Sequence, residues 1–288
     1  MTRIWVGLIL VLSVGLQGCT LIQTTYNQAP DLMSWWLDGF VDMNRLQKEV
    51  ISEDLNQIQL WHRGTQLPLY LETIRALDSK VALDLTVEDI CRPLEQSIEI
   101  KARDLLIAFE PLFIHLVMNM QIEQLKTLQR KYDKNNKEWR HDWLEASVQD
   151  RLALRVKKDR EIGEWLYGRL SAEQMELLKE LVLESPFDAS KTYAERLRKQ
   201  ADSIETLKGL ILERPNPNET QQTVHLLLLR STLESPDQSF KEYYYKNLRS
   251  QCPRAVKFHN STTQKQRQRA LKTLQSLELD ILELSKKK

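Results

Sequence analysis

After residue 18 the chain contains only five glycines: Gly39, Gly64, Gly163, Gly168 and Gly209. They stand too far apart to build the glycine-rich turn whose backbone amides cradle a phosphate. That excludes dinucleotide-binding and P-loop folds. No stretch alternates apolar and polar residues with the period of a strand. Leu, Glu, Lys, Gln and Arg are abundant, and these straight-chain residues lose little freedom in a helix. The expected fold is all-α, an elongated or compact bundle of roughly eight to ten helices with short links and no sheet.

Helix starts are legible as capping residues. Asp31 is placed to cap a helix carrying Leu32, Trp35, Trp36 and Phe40. A second helix is expected from Asp42 to about Arg63, carrying Leu46, Val50, Leu55, Ile58 and Trp61, and a third over residues 67–80. Thr86-Val87-Glu88-Asp89 offers a hydroxyl cap followed by acids, and Ser171-Ala172-Glu173-Gln174 and Thr263-Gln264-Lys265-Gln266 are capping boxes. A helix beginning at Asn119 or Gln121 is expected to run on through Trp139 and Trp143 to Leu166. Leu197, Ala201, Ile204, Leu207 and Ile211 form one 3–4 stripe, and Ala270, Leu274, Leu277, Ile281 and Leu284 form the seam of a helix packed lengthwise on others. Ser185-Pro186, Arg214-Pro215-Asn216-Pro217, Ser235-Pro236 and Cys252-Pro253 punctuate helices, while Pro93 and Pro111 should kink a helix or mark its true start. A sub-boundary is placed near 168–171.

The first residues carry an address. Arg3 is the only charge before residue 31, and residues 4–14 are apolar but too short to span a bilayer. The following Leu16-Gln17-Gly18-Cys19 resembles the bacterial lipobox, in which the cysteine receives lipid and cleavage falls just before it. The resemblance implies a signal peptide over 1–18, a lipidated tether over 19–30 and a helical domain over 31–288. Thr20 stands where aspartate favours inner-membrane retention in such lipoproteins. The expected location is therefore the outer membrane of a Gram-negative bacterium, with the body facing the periplasm. Fully extended, residues 20–30 would reach at most about 36–40 Å.

Loss of residues 1–18 removes Arg3, leaving 40 basic against 40 acidic residues. That balance argues against nucleic acid as a partner. The terminal Lys286-Lys287-Lys288 reads as a frayed solvated end or as a contact for anionic lipid. Cys91 and Cys252 form an even pair that an oxidising compartment would join, the other reading being two buried free thiols. Among the five histidines, only His141 stands in a Glu-x-x-His pair, with Glu138. No second such pair exists for a di-iron site, and no Cys-x-x-Cys or serine-nucleophile motif occurs. No metal, cofactor or catalytic residue is expected. The aromatic residues Trp35, Trp36, Trp139 and Trp143 are a candidate binding surface for unfolded chains or lipid, or else core and rim of the bundle. Tyr243, Tyr244 and Tyr245 are too closely spaced to be buried together.

Four stretches carry a family resemblance. They are Tyr26-Asn27-Gln28-Ala29-Pro30 with Trp35-Trp36-Leu37-Asp38; Asn136-Lys137-Glu138-Trp139-Arg140; Trp165-Leu166-Tyr167-Gly168-Arg169-Leu170; and His259-Asn260-Ser261-Thr262-Thr263. The chain resembles a proteobacterial family of all-helical periplasmic lipoproteins whose domain has no assigned function. The resemblance brings no catalytic residues. Leu85-Thr86-Val87-Glu88-Asp89 and Leu170-Ser171-Ala172-Glu173-Gln174 are also similar to the Leu-Thr-x-x-Gln signature of small periplasmic stress chaperones, although capping alone produces the same pattern. The expected role is a non-enzymatic envelope factor, held to the membrane by its N-terminal lipid, that binds a periplasmic protein as a chaperone or assembly partner. A structural or lipid-binding envelope protein is the alternative. A third is an enzyme whose carboxylate site leaves no linear motif.

Overall fold

The computed structural model describes residues 17–286, with the backbone alone for 17–21 and 92–98. Most of the signal segment, residues 1–16, and the final Lys287 and Lys288 lie outside the described residues. The structure is 86% helical and has no strand among the described residues. Its helices are α1 (Gln17–Asn27), α2 (Ala29–Val41), α3 (Arg45–Trp61), α4 (Leu67–Asp78), α5 (Val87–Met118), α6 (Ile122–Arg140), α7 (Val148–Tyr167), α8 (Ala172–Glu184), α9 (Ala189–Glu213), α10 (Pro217–Thr232), α11 (Gln238–Asn260) and α12 (Gln264–Lys286). Two π-helical turns, His62–Gln66 and His141–Glu145, interrupt the series.

The twelve helices among the described residues exceed the expected eight to ten for two physical reasons. The helix expected from 121 to 166 is two. Its π-helical turn ends at Ala146 in extended backbone, and Ser147 starts α7 afresh by accepting a bond from the Asp150 amide. The expected tether is also not a free strand, because residues 17–27 are helical and docked. Gln23 donates to Asp280 at 2.9 Å, and Asn27 accepts from Arg63 at 2.6 Å. Asp31 lies in the first turn of α2 rather than capping it, since the N-cap position is Gln28. Pro253 sits inside α11 without ending it, and α5 runs through positions 93 and 111. A single proline removes one helix hydrogen bond, and packing on both sides outweighs that loss.

Two apolar clusters organise the body. The first gathers Ile51 and Leu55 of α3, Leu112 and Leu116 of α5, Leu125 of α6, Ile211 of α9 and Val224 of α10. The second gathers Leu71 of α4, Tyr167 of α7, Leu181 of α8, Phe258 of α11, and Ala270, Leu274, Ile281 and Leu284 of α12. The expected α12 seam is therefore real. On α3 the buried stripe is Gln47, Ile51 and Leu55, while Leu46 and Val50 face solvent. The 168–171 link is a turn within the second cluster, since Tyr167, Leu170 and Leu178 all belong to it. Gly168 there has φ +79° and ψ −156°, a region that glycine alone occupies comfortably, and a Cβ would stand 2.8 Å from Arg269 Cδ. Helix α5 ties the clusters together: its end enters the first, while its start is joined to α11 by the Cys91–Cys252 disulfide, with Cα atoms 5.5 Å apart.

Capping boxes do more than start helices here. The third-position glutamines of α3 and α6 bond each other reciprocally, Gln47 Nε2 to Gln124 Oε1 at 3.1 Å and Gln124 Nε2 to Gln47 Oε1 at 2.8 Å. Those of α8 and α12 do the same, Gln174 with Gln266 at 2.8 and 2.9 Å. Each clasp holds two helix N-termini side by side and satisfies amide groups that burial would otherwise leave unpaired.

The second cluster contains a buried histidine. His259 Nε2 lies 2.8 Å from the Leu83 carbonyl, which can only accept, so Nε2 carries the proton. Nδ1 then accepts from the Tyr167 hydroxyl at 2.8 Å. Burial holds the His259 pKa below the ordinary histidine value, although the Leu83 contact pulls it back up. His62 is lowered too, by burial and then by the Arg63 guanidinium. The unfolded chain therefore binds more protons than the folded one just below about pH 6.5. The stability tied to neutral histidine is complete above that value and is lost as pH falls towards the folded pKa. The expected result is a lower melting temperature at about pH 5.5 than at about pH 7.5, with a shallower dependence in His259→Gln. Exposed His141 is raised by Asp142 and works the other way, but solvent screens that pair. A flat melting profile across this window would refute the assignment.

Candidate functional site

A groove lies between the end of α3 and the middle of α5. The segment His62-Arg63-Gly64-Thr65-Gln66-Leu67-Pro68 explains one wall. Pro68 has no N–H to offer the Gly64 carbonyl, and the Leu67 amide bonds back to His62 O in a widened turn. The turn is anchored from behind. Arg63 is buried, donates to the Leu284 carbonyl at 3.0 Å, and lies 4.9 Å over the Tyr26 ring. The Tyr26 hydroxyl lies 2.8 Å from His62 Nδ1.

This arrangement turns Gln66 inward. Gln66 is 2% exposed, its Nε2 makes a long 3.5 Å contact with Thr65, and its Oε1 has no hydrogen-bond partner among the described residues. An orphaned buried acceptor costs about 1–3 kcal/mol, and of the six buried side-chain atoms without a hydrogen-bond partner among the described residues this one belongs to a residue of the groove wall. The groove has a volume of about 580 Å³, with Ile58, Trp61, Leu69, Ile107 and Leu112 among its apolar lining residues. Pro111 also lines it, and because it lacks an N–H it leaves the Ile107 carbonyl without its helical donor. Two carboxylates complete the site. Asp54 lies 2.8 Å from His115 Nδ1, and Asp104 has no partner among the described residues. Two donors in the lining are engaged, Gln57 with Glu53 at 2.8 Å and Thr65 with the Trp61 carbonyl at 2.8 Å, while the Trp61 indole N–H has no hydrogen-bond partner among the described residues. The groove thus offers apolar surface and more free acceptors than donors. Its chemical complement is an apolar segment carrying N–H or cationic donors.

The residues singled out from the sequence are placed elsewhere. Cys19 lies in α1, its side chain outside the described set. Trp35 and Trp36 are 76% and 56% exposed and form one ridge of α2 with Leu32. Trp36 touches the edge of the first cluster through Phe40, its ring centroid 4.6 Å away, while Met33, Leu37 and Val41 supply the cluster itself. Trp139 and Trp143 form a separate, half-buried stack. Trp139 lies 5.3 Å from Tyr193 and 6.2 Å from Trp143, which meets Phe187 at 5.3 Å. The four tryptophans are therefore two groups. Tyr243 is buried, while Tyr244 is exposed and Tyr245 half-buried. Exposed His141 pairs with its neighbour Asp142 at 2.9 Å.

Other charged pairs have structural tasks. Arg155 and Arg254 donate to the Val182 and Leu181 carbonyls at 2.8 and 2.9 Å, supporting the last turn of α8. Burial raises the pKa of Asp159, with Arg254 and Arg155 pulling it down. No group of three or more His, Cys, Asp or Glu residues able to hold a metal ion occurs among the described residues. No helix among them is long and apolar enough to cross a membrane. The groove is not legible in the sequence because its residues come from segments some forty positions apart. The Gly64-to-Pro68 spacing at the end of a helical pattern was the available signal.

The profile of a family of unknown function, DUF6279, matches residues 39–242. That span contains the whole groove and ends inside α11, before Cys252 and α12. No curated protein and no solved structure matches the chain.

Proposed function

The chain belongs to DUF6279, a family of unknown function, and from that premise we propose that it is a lipid-anchored envelope protein that captures a segment of another protein in the α3–α5 groove. The observation that carries the reading is Gln66, a buried residue at the wall of an apolar cleft with two carboxylates, whose amide carbonyl has no partner among the described residues. The occupant would lay apolar side chains along Ile58, Trp61 and Ile107, and a turn of the buried Gln66 amide towards the groove would let Oε1 accept from a donor on it. A lysine or arginine would sit beside Asp104. The anchor rests on the lipobox-like Leu16-Gln17-Gly18-Cys19 and on Thr20, which favour an outer-membrane, periplasm-facing location. The Cys91–Cys252 bond suits such an oxidising compartment. Mass measurement of an acylated N-terminal Cys19, with protection of the body from protease added to whole cells, tests the placement.

The groove is tested with a photo-crosslinking residue at position 69 or 107 in living cells, and at exposed Leu183 as a control. Positions 69 and 107 are expected to give the same protein adduct and position 183 none. Gln66→Leu is expected to leave the melting temperature unchanged or raise it, gaining on the order of 1 kcal/mol, because an unpaired polar group is removed. The same change should weaken capture about five- to tenfold, and Asp104→Lys should weaken it further. Undiminished adducts in both variants would rule the groove out. A single product marks a dedicated partner, whereas many products mark a chaperone-like client range.

A further inference from the structure

A second surface, independent of the groove, lies where α7, α8 and α12 meet. A cleft of about 860 Å³ is lined by Arg169, Lys265, Arg269 and Lys272 and by no acidic residue. None of these four side chains has an ion-pair partner among the described residues, in a body whose overall charge is balanced. The starts of α8 and α12, held together by the Gln174–Gln266 clasp, also line it and add the partial positive charge of helix N-termini. Glu173 in the first turn of α8 is not part of the lining. On α7, Glu161 and Glu164 are already paired, with Lys157 at 3.9 Å and Arg160 at 3.7 Å.

The cleft continues into a smaller hollow that shares Arg269 and Lys272 and adds exposed Ile22 and Trp165; its one acid, Asp280, is buried and already bonded by Gln23. Cations that border an exposed tryptophan and isoleucine have the composition of a membrane-interface surface. The ring and aliphatic side chain enter the headgroup region, and the long basic side chains reach phosphates. The chain's own course supplies the occupant. Helix α1 is fixed to α12 by the Gln23–Asp280 bond at 2.9 Å, and α1 leads back towards Cys19 and the apolar residues 4–14. On the anchor reading proposed above, on which this inference rests, the membrane-directed end of the chain leaves from this face.

We propose that the Arg169–Lys265–Arg269–Lys272 cleft, with Trp165 and Ile22, docks the body on the anionic phospholipid surface of the membrane to which its N-terminus leads. Docking of this kind fixes the orientation of the body, which one flexible lipid attachment leaves free. Each basic residue near an anionic surface adds roughly 1 kcal/mol, about a fivefold factor, so loss of two shifts the ratio of docked to undocked body about 25-fold.

The test uses the full chain extracted from cells in detergent and reconstituted into vesicles with brominated acyl chains, either phosphatidylglycerol or phosphatidylcholine. Trp165 emission is isolated by subtracting Trp165→Phe. The expected result is quenching of Trp165 in phosphatidylglycerol, little in phosphatidylcholine, and loss of the difference in Lys265→Glu/Lys272→Glu. Both lysines are exposed, and an unchanged melting temperature is expected to show that this variant remains folded. Trp165 unquenched in anionic vesicles, equal quenching in both lipids, or full quenching in the charge-reversed variant would each overturn the proposal. Release by inorganic phosphate, but not by chloride at equal ionic strength, would also overturn it, identifying the cleft as a small-anion site. The mass of Cys19 in the same sample reports on the anchor separately, and the groove crosslinks do not depend on this face.

Discussion

Substituting Cys91→Ala and Cys252→Ala together is expected to destabilise the body by about 2–5 kcal/mol, lowering its melting temperature on the order of 5–15 °C. The bond spans 161 residues of sequence. In the chain-entropy treatment, closing a loop of that length removes about 5 kcal/mol worth of freedom from the unfolded chain. Residual structure in the unfolded chain makes the lower part of the range equally reachable. The location adds to the argument. Cys91 belongs to α5, which enters the first apolar cluster, and Cys252 belongs to α11, which brings Phe258 and buried His259 to the second. Cutting the bond leaves α5 and α11 joined by weaker contacts such as Tyr245 to Glu99 at 2.8 Å. Reduced wild-type protein separates the loss of the cross-link from the loss of two buried sulfur atoms. Equal urea midpoints for oxidised and reduced protein would show that the bond contributes nothing.

Local chemistry was readable in the sequence wherever it is also local in space. The boxes at Thr86, Ser171 and Thr263 start helices as their spacing requires, and Ala270 to Leu284 form a buried seam. Structure departs from the sequence pattern where a neighbour distant in sequence changes what a residue can do. Residues 20–27 are polar and look like tether, yet Gln23 and Asn27 bind Asp280 and Arg63, more than two hundred and about forty positions away. Ser147-Val148-Gln149-Asp150 is itself a cap pattern, but the apolar run on both sides of it concealed the break. The pairing of Gln47 with Gln124 and of Gln174 with Gln266 depends on which helix starts lie side by side, and capping alone does not specify that. The groove at Gln66 and the basic cleft at Arg269 are made the same way, from side chains that only the packed bundle brings together.

Helix α9 shows the difference most sharply and carries the second large effect. Its 3–4 stripe placed Leu197 and Ala201 in the core with Ile204, Leu207 and Ile211. Only the C-terminal half behaves that way, for Leu197 is 41% exposed. The buried position in the N-terminal half is Glu195, whose side chain is 3% exposed. Its carboxylate accepts two bonds from Arg198, at 2.7 and 2.9 Å, and lies 3.9 Å from Lys199. Arg198 also donates to the Arg230 carbonyl on α10, and Arg230 meets Asp202 at 3.2 Å, so the charges bind α9 to α10. Removing one member of a buried pair leaves its partners desolvated and unpaired, at about 3–5 kcal/mol. Arg198 and Lys199 keep some contact with water, so Glu195→Ala is expected at the low end, about 3 kcal/mol. Glu195→Gln retains one acceptor and should recover part of that. Leu197→Ala is expected within about 0.5 kcal/mol of wild type, because solvent already covers it. Urea unfolding of the three variants distinguishes the alternatives. A Leu197→Ala loss larger than the Glu195→Ala loss would restore the apolar stripe to the core and contradict the placement of Glu195.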